Sequence, residues 1–136
     1  MEDLKNMHHW SVLAVSCIDG RFVRRINDWI AEQQGNIFDY RTEVGCSKAI
    51  IDSVEDRERL FGVIEVAIRL HSIKEIWLID HIDCGAYGGS KEHDDVESEE
   101  SFHKQKLDEA AGIIGDKFPE LSVTKIYAGW DTIEEV

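Results

Sequence analysis

Three side chains in this sequence, Cys17, His81 and Cys84, are of the types that hold a soft divalent cation, and two of them stand three residues apart in HIDCG. Zinc favours thiolate and imidazole, and a catalytic zinc keeps three protein ligands with a fourth position for water. One tight turn can aim an imidazole and a thiolate at this spacing toward a single ion, but Cys17 has to arrive from a different element. Spacing alone leaves two readings open: a metal centre, or two buried structural thiols beside a hydrogen-bonded surface histidine. The segment CIDGR adds Asp19 and Arg21, two and four residues after Cys17. Side-chain alternation near a strand end puts Asp19 on the side of Cys17, with Arg21 near enough to pair with it. An Asp and an Arg two apart also occur as an ordinary surface pair. Here they flank a candidate metal.

The elements that must position these groups are readable from hydrophobic period. SVLAVSC, residues 11–17, is a short valine-rich apolar run whose length favours a buried strand. Phe22, Ile26, Trp29 and Ile30 recur at three- and four-residue steps, so Arg21 to about Gln34 reads as an amphipathic helix ending at Gly35. Residues 36–41 read as a second strand and EIWLID, 75–80, as a third. Between them Leu60, Ile64, Ala67, Ile68 and His71 mark a helix over 54–71, with Glu55 and Asp56 suited to its first turn. Leu107, Ala111, Ile114 and Phe118 mark a last helix, stopped by Pro119, and VTKIYAGW supplies a fourth strand. The acidic run SKEHDDVESEES between them reads as a solvated loop or helix start.

Strands alternating with helices imply parallel pairing through right-handed crossovers, hence an α/β three-layer sandwich with a mostly parallel four-stranded sheet. Ligands of such sheets bind beyond the carboxyl ends of the strands, where Cys17 and His81 both fall. The 136 residues suit one domain, 1–136, able to bury a core without disulfides.

Bulk properties remove several classes of function. A net charge of -13 disfavours nucleic acid and anionic membranes, since either needs Lys and Arg to neutralise negative charge. No apolar run approaches a bilayer span, and MEDLKNMHHW lacks the basic start and apolar stretch of a signal peptide. A cytoplasmic protein is expected. Three cysteines cannot all pair, and in a reducing compartment they read as metal ligands, nucleophiles or small buried groups. Cys46 reads as a packing residue and His71 as a partly buried structural histidine, while His8, His9, His93 and His103 receive no role.

SCIDGRF at 16–22 and DHIDCGAYGG at 80–89 resemble the two motifs of the β-class carbonic anhydrases. The resemblance covers most of the chain, since the strand NIFDYR, the helix before EIWLID and the final strand fall in the expected order. It implies Zn(II) on Cys17, His81 and Cys84, Asp19 and Arg21 as the catalytic dyad, and reversible hydration of carbon dioxide to bicarbonate by a zinc-bound hydroxide. In that family the aspartate either accepts a hydrogen bond from zinc-bound water or ligates the metal itself. The family is generally built of dimers, so the resemblance also implies a homodimer or a multiple of dimers.

This chain departs from the family in three places. Gly20 stands where serine is usual, RTEVGCSKAI at 41–50 replaces an Asn-Ala-Gly-Asn-like stretch, and the ten residues before Ser11 leave little room for N-terminal helices. The altered 42–50 loop motivates a second reading, hydrolysis of carbonyl sulfide or carbon disulfide on the same scaffold. A third is a non-catalytic zinc-binding relative, against which Asp19 and Arg21 speak, since a purely structural site would not need them.

Overall fold

The computed structural model describes residues 3–136. Strand β1 (Val12–Ser16) leads into helix α1 (Gly20–Gln34), followed by β2 (Asp39–Thr42), α2 (Ser47–Asp52) and α3 (Val54–His71). Strand β3 (Glu75–His81), helix α4 (Val96–Lys117), β4 (Ser122–Ala128) and β5 (Ile133–Glu135) complete the chain. Short 3-10 turns at Leu4–Asn6, Gly85–Tyr87 and Ser90–Glu92 punctuate it.

The strands lie in the order β2-β1-β3-β4-β5, the first four parallel and β5 antiparallel to β4. The mostly parallel α/β sheet expected from the sequence is present, with one strand more than periodicity finds. At three residues, β5 is too short to display an alternating pattern. The second strand begins at Asp39 rather than Asn36, and the 47–52 stretch, which carries no clear period, folds as the six-residue α2.

Every residue of β1 is buried because both of its faces are covered, which is why it reads as a continuous apolar run. Alternation divides the sheet between two cores. Leu13, Val15, Ile76 and Leu78 face Leu60, Ile64, Leu107 and Ile114 of α3 and α4. Val12, Ala14, Trp77 and Ile79 face Phe22, Ile26 and Ile30 of α1. On β3 the same two-residue period sends Asp80 toward α2 and α4 and His81 toward α1. Three helices are capped by the side chains that precede them: Asp19 accepts from the Arg21 N–H, Ser53 from Asp56 and Asp95 from Ser98.

Candidate metal centre

Strands β1 and β3 are parallel neighbours, with Ser16 opposite Ile79, so the chain leaves both at the same edge of the sheet. Cys17 follows the end of β1, and His81 closes β3. Asp83 then adopts a left-handed conformation with φ of 59°, turning the chain so that Cys84 comes back beside His81. One ligand atom from each of Cys17, His81 and Cys84 lies within 4.8 Å of the others, and all three residues are buried.

The ring of His81 is fixed from two sides. Phe22 stacks on it at 4.4 Å, and its Nδ1–H donates to the Ile82 carbonyl at 2.6 Å. That hydrogen bond leaves Nε2 as the lone-pair nitrogen, and Nε2 is buried with no hydrogen-bond partner in a residue only 1% exposed. A buried polar atom without a partner is costly unless something binds it. An aimed imidazole nitrogen between two thiols is the donor set of a Cys2His zinc site, so the residues fit the ion.

The two sulfurs are held unequally, Cys17 toward the thiolate and Cys84 toward the thiol. A hydrogen bond from Cys84 holds the Cys17 thiol well below its ordinary value against the opposing effect of burial, helped by His81 and by the Gly45 N–H, 3.4 Å from Sγ. Cys84 is pushed up because it keeps the proton the two sulfurs share. Burial works to lower the pKa of His81, but the adjacent Cys17 sulfur, the hydrogen bond to the Ile82 carbonyl and the negative charge of Asp19 raise it. A cation taken up here would displace the proton that the two sulfurs share.

Asp19 and Arg21 stand at the rim. The Arg21 Nη2 donates to Asp19 Oδ2 at 2.7 Å and Nε to Oδ1 at 3.1 Å, a two-point clamp that holds the Asp19 carboxyl down to about 2. Asp19 Oδ2 lies 3.8 Å from His81 Nε2, which places the carboxylate against the donor set. Arg21 also donates from Nη1 to Asp83 Oδ2 and from Nη2 to the Asp83 carbonyl, each at 3.1 Å. The guanidinium therefore ties the start of α1 to the HIDCG turn, and it lies 5.5 Å from the Trp130 ring.

Several residues that position the site carry no motif. The acidic run is not wholly solvated: Glu99 is 1% exposed, and its carboxylate accepts from the Asp83 N–H at 2.8 Å and the Ser90 hydroxyl at 2.7 Å. Ser90 N–H in turn donates to Asp83 Oδ1 at 2.8 Å, so the ligand turn is pinned from α4. His103 is likewise buried, with Nδ1 2.7 Å from Asp80 Oδ2. A signal was available, since Glu99 and His103 continue the buried stripe of Leu107, Ala110 and Ile114 toward the N-terminus of α4.

Cys46 packs in the core of α2 and α3, its thiol donating to the Val15 carbonyl at 3.3 Å, and takes no part in the donor set. His71 is half-buried, 2.7 Å from Asp39 and 4.1 Å from the Trp10 ring. His8 and His9 are exposed and His93 is partly buried.

Comparison with known proteins bears on the fold and the family. The chain superposes on a β-carbonic anhydrase of Aspergillus fumigatus with a TM-score of 0.63 at 10% identity, covering 100% of this chain and 94% of that one. A tetrameric β-carbonic anhydrase of Sordaria macrospora gives 0.63 at 14% identity, with 98% and 83% covered. The architecture is thus that of the β-carbonic anhydrases. Residues 7–135 match the family described as "Putative carbonic anhydrase", and the chain belongs to that family. Two relatives, uncharacterized proteins of Rickettsia conorii and Rickettsia bellii, are 34% and 32% identical over 98% of this chain and 75% and 85% of their own length.

Proposed function

We propose that this chain is a zinc-dependent carbonic anhydrase interconverting carbon dioxide and bicarbonate, with Cys17, His81 and Cys84 as ligands and Asp19 and Arg21 as the dyad. The observation that carries the reading is the orphaned Nε2 of His81, which faces two thiols and lies 3.8 Å from a carboxylate that is itself clamped by an arginine. A purely structural site has no use for that clamp. Bound zinc would supply a Lewis acid able to lower the pKa of water from about 15.7 toward 7, so that hydroxide forms near neutral pH.

The remaining work falls to the protein. Asp19, kept ionised by Arg21, accepts a hydrogen bond from the attacking oxygen and turns its lone pair toward the carbon of the substrate. Arg21 restrains Asp19 from swinging onto the ion by holding both carboxylate oxygens. Phe22, stacked between His81 and Trp130, excludes water from one side of the imidazole. Carbon dioxide and water become bicarbonate and a proton, which passes to solvent.

A homodimer is part of the proposal. Ile18, Val44 and Trp130 are 57%, 55% and 49% exposed, and each adjoins the site: Ile18 follows Cys17, Val44 precedes Gly45, and Trp130 lies over Phe22. Large apolar groups gathered at one rim favour burial against a second copy. We also place the protein in the cytoplasm, where its three unpaired thiols stay reduced.

Metal analysis and stopped-flow hydration of carbon dioxide test the proposal together. About one zinc per chain and hydration lost on Cys84→Ser are expected. A folded parent without zinc, or a zinc-loaded parent without turnover, removes it. Sulfide release from carbonyl sulfide and carbon disulfide, measured beside it, identifies the preferred substrate.

A further inference from the structure

The 43–47 loop is held in an unusual shape. Gly45 has φ of 78°, and Cys46, which has a side chain, has φ of 47°. A Cβ on Gly45 would come within 2.8 Å of Ala86 Cβ and 2.9 Å of Lys48 Cβ, so the backbone approaches the ligand turn more closely than any other residue would allow. Residues in such conformations persist only where their surroundings over-determine them. The result of the shape is that the Gly45 N–H donates to Cys17 Sγ at 3.4 Å.

Glu43 N–H and the Cys46 thiol tie the loop to the Ser16 and Val15 carbonyls, and its far end is tied to a buried carboxylate on the far face of β3. Asp80 is 1% exposed, and its Oδ1 accepts from the Ser47 N–H at 3.1 Å. Its Oδ2 accepts from the Ser47 hydroxyl at 2.7 Å and pairs with His103 Nδ1 at 2.7 Å. The Ser47 hydroxyl also meets the Tyr87 hydroxyl at 2.7 Å, and Tyr87 belongs to the turn that follows Cys84. Asp80 thus fastens the start of α2, two residues after Gly45, to the strand that ends in His81.

We infer that Asp80 is a positioning residue for the metal centre: through Ser47 it fixes the strained 43–47 loop so that the Gly45 N–H polarises the Cys17 sulfur. This inference rests on the zinc reading above. A thiolate that accepts an N–H bond donates less charge to its metal, which leaves the ion more electrophilic. His103 supports Asp80 from α4, and the sheet separates this pair from the face of His81.

Cobalt(II) substitution makes the sulfur visible, since thiolate-to-cobalt charge-transfer bands report the electron density on Sγ. The parent is expected to take up one cobalt and show these bands. Asp80→Asn, which puts an amide N–H₂ where Ser47 and His103 need an acceptor, should move them to longer wavelength and weaken zinc binding about tenfold or more. Gly45→Ala should move them the same way. Ser47→Ala keeps the backbone contact to Oδ1 and should give a smaller shift in that direction, which preserves the test if Asp80→Asn fails to fold. Ile114→Val, a core change in the same layer, should lower the melting temperature and leave the bands in place. Shifts in the Ser47 and Gly45 variants but not in Ile114→Val support the inference. Bands unmoved in folded Asp80→Asn and Ser47→Ala overturn it and leave the metal reading intact. A parent with no charge-transfer band overturns both.

Discussion

Asp19 and Arg21 form a solvent-facing ion pair, and an exposed pair of this kind contributes about 1 kcal/mol or less to stability. Its value on the proposed reading lies in orientation. Asp19→Asn keeps the size of the side chain but removes its charge and presents a donor where an acceptor is needed. Turnover is expected to fall some 10²-fold or more with zinc content unchanged, measured by stopped-flow hydration beside metal analysis. Loss of zinc in that variant would instead make Asp19 a support for Cys17. Arg21→Ala frees the carboxylate to approach the ion, so activity should fall and its pH optimum rise. The same pair predicts a pH dependence of stability in metal-stripped protein. Folded Asp19 titrates at about 2, below the ordinary 3.8 of the unfolded chain, so the unfolded state binds the proton first as pH falls. The pair's contribution is therefore complete above about pH 4 and is lost between there and pH 2. Urea melts of parent and Asp19→Asn should converge across that window. A gap that stays constant would show that the clamp does not depress this pKa.

At the scale of elements, the ligand turn depends on a helix that contributes no ligand. Helix α4 enters through Glu99, whose two oxygens take the Asp83 N–H and the Ser90 hydroxyl. Asp83 holds Arg21 in turn. Glu99→Ala would leave two donors without partners, and an unsatisfied buried donor costs about 1–3 kcal/mol. A lower melting temperature, faster amide exchange across 82–90 and weaker zinc binding are expected. Exchange confined to its parental rate in that segment would place the role of Glu99 elsewhere. Sequence reading found α4 from Leu107, Ala111, Ile114 and Phe118 but left its first turns to the acidic run. Charge there outweighed period, because Asp94, Asp95, Glu97 and Glu100 surround the two residues, Glu99 and His103, that turn inward.

For the whole molecule, helix α1 covers one face of a five-stranded sheet alone, while α2, α3 and α4 share the other. A groove bounded by Trp29, Trp77, Thr124 and Ile133 stays open beside α1, and apolar Ile18, Val44 and Trp130, each next to a residue of the site or stacked on Phe22, are exposed. Sedimentation or light scattering at micromolar concentration is expected to give a dimer or a multiple of dimers. A strict monomer that turns over carbon dioxide at full rate would refute that expectation. Replacement of Trp130 by Glu should shift the equilibrium toward monomer if the rim is the covered surface.

The sequence by itself determined the alternation of strands and helices, and with it the parallel sheet, because apolar period is a local property that burial enforces residue by residue. It also placed Cys17 and His81 at strand ends, since a ligand that follows an apolar strand marks its own position. Other features were decided only in three dimensions. That Cys17 reaches His81 depends on β1 and β3 being neighbours in the sheet, although residues 17–74 separate them in the chain. The partners of Asp80 and Asp83 come from α1, α2 and α4 and those of Glu99 from the turns after β3, and a buried carboxylate looks no different in sequence from a solvated one. Strand β5 is too short to carry a period, and no local pattern encodes the close approach of Gly45 to Ala86. Period records which side of an element is buried; only the packed structure records what it is buried against.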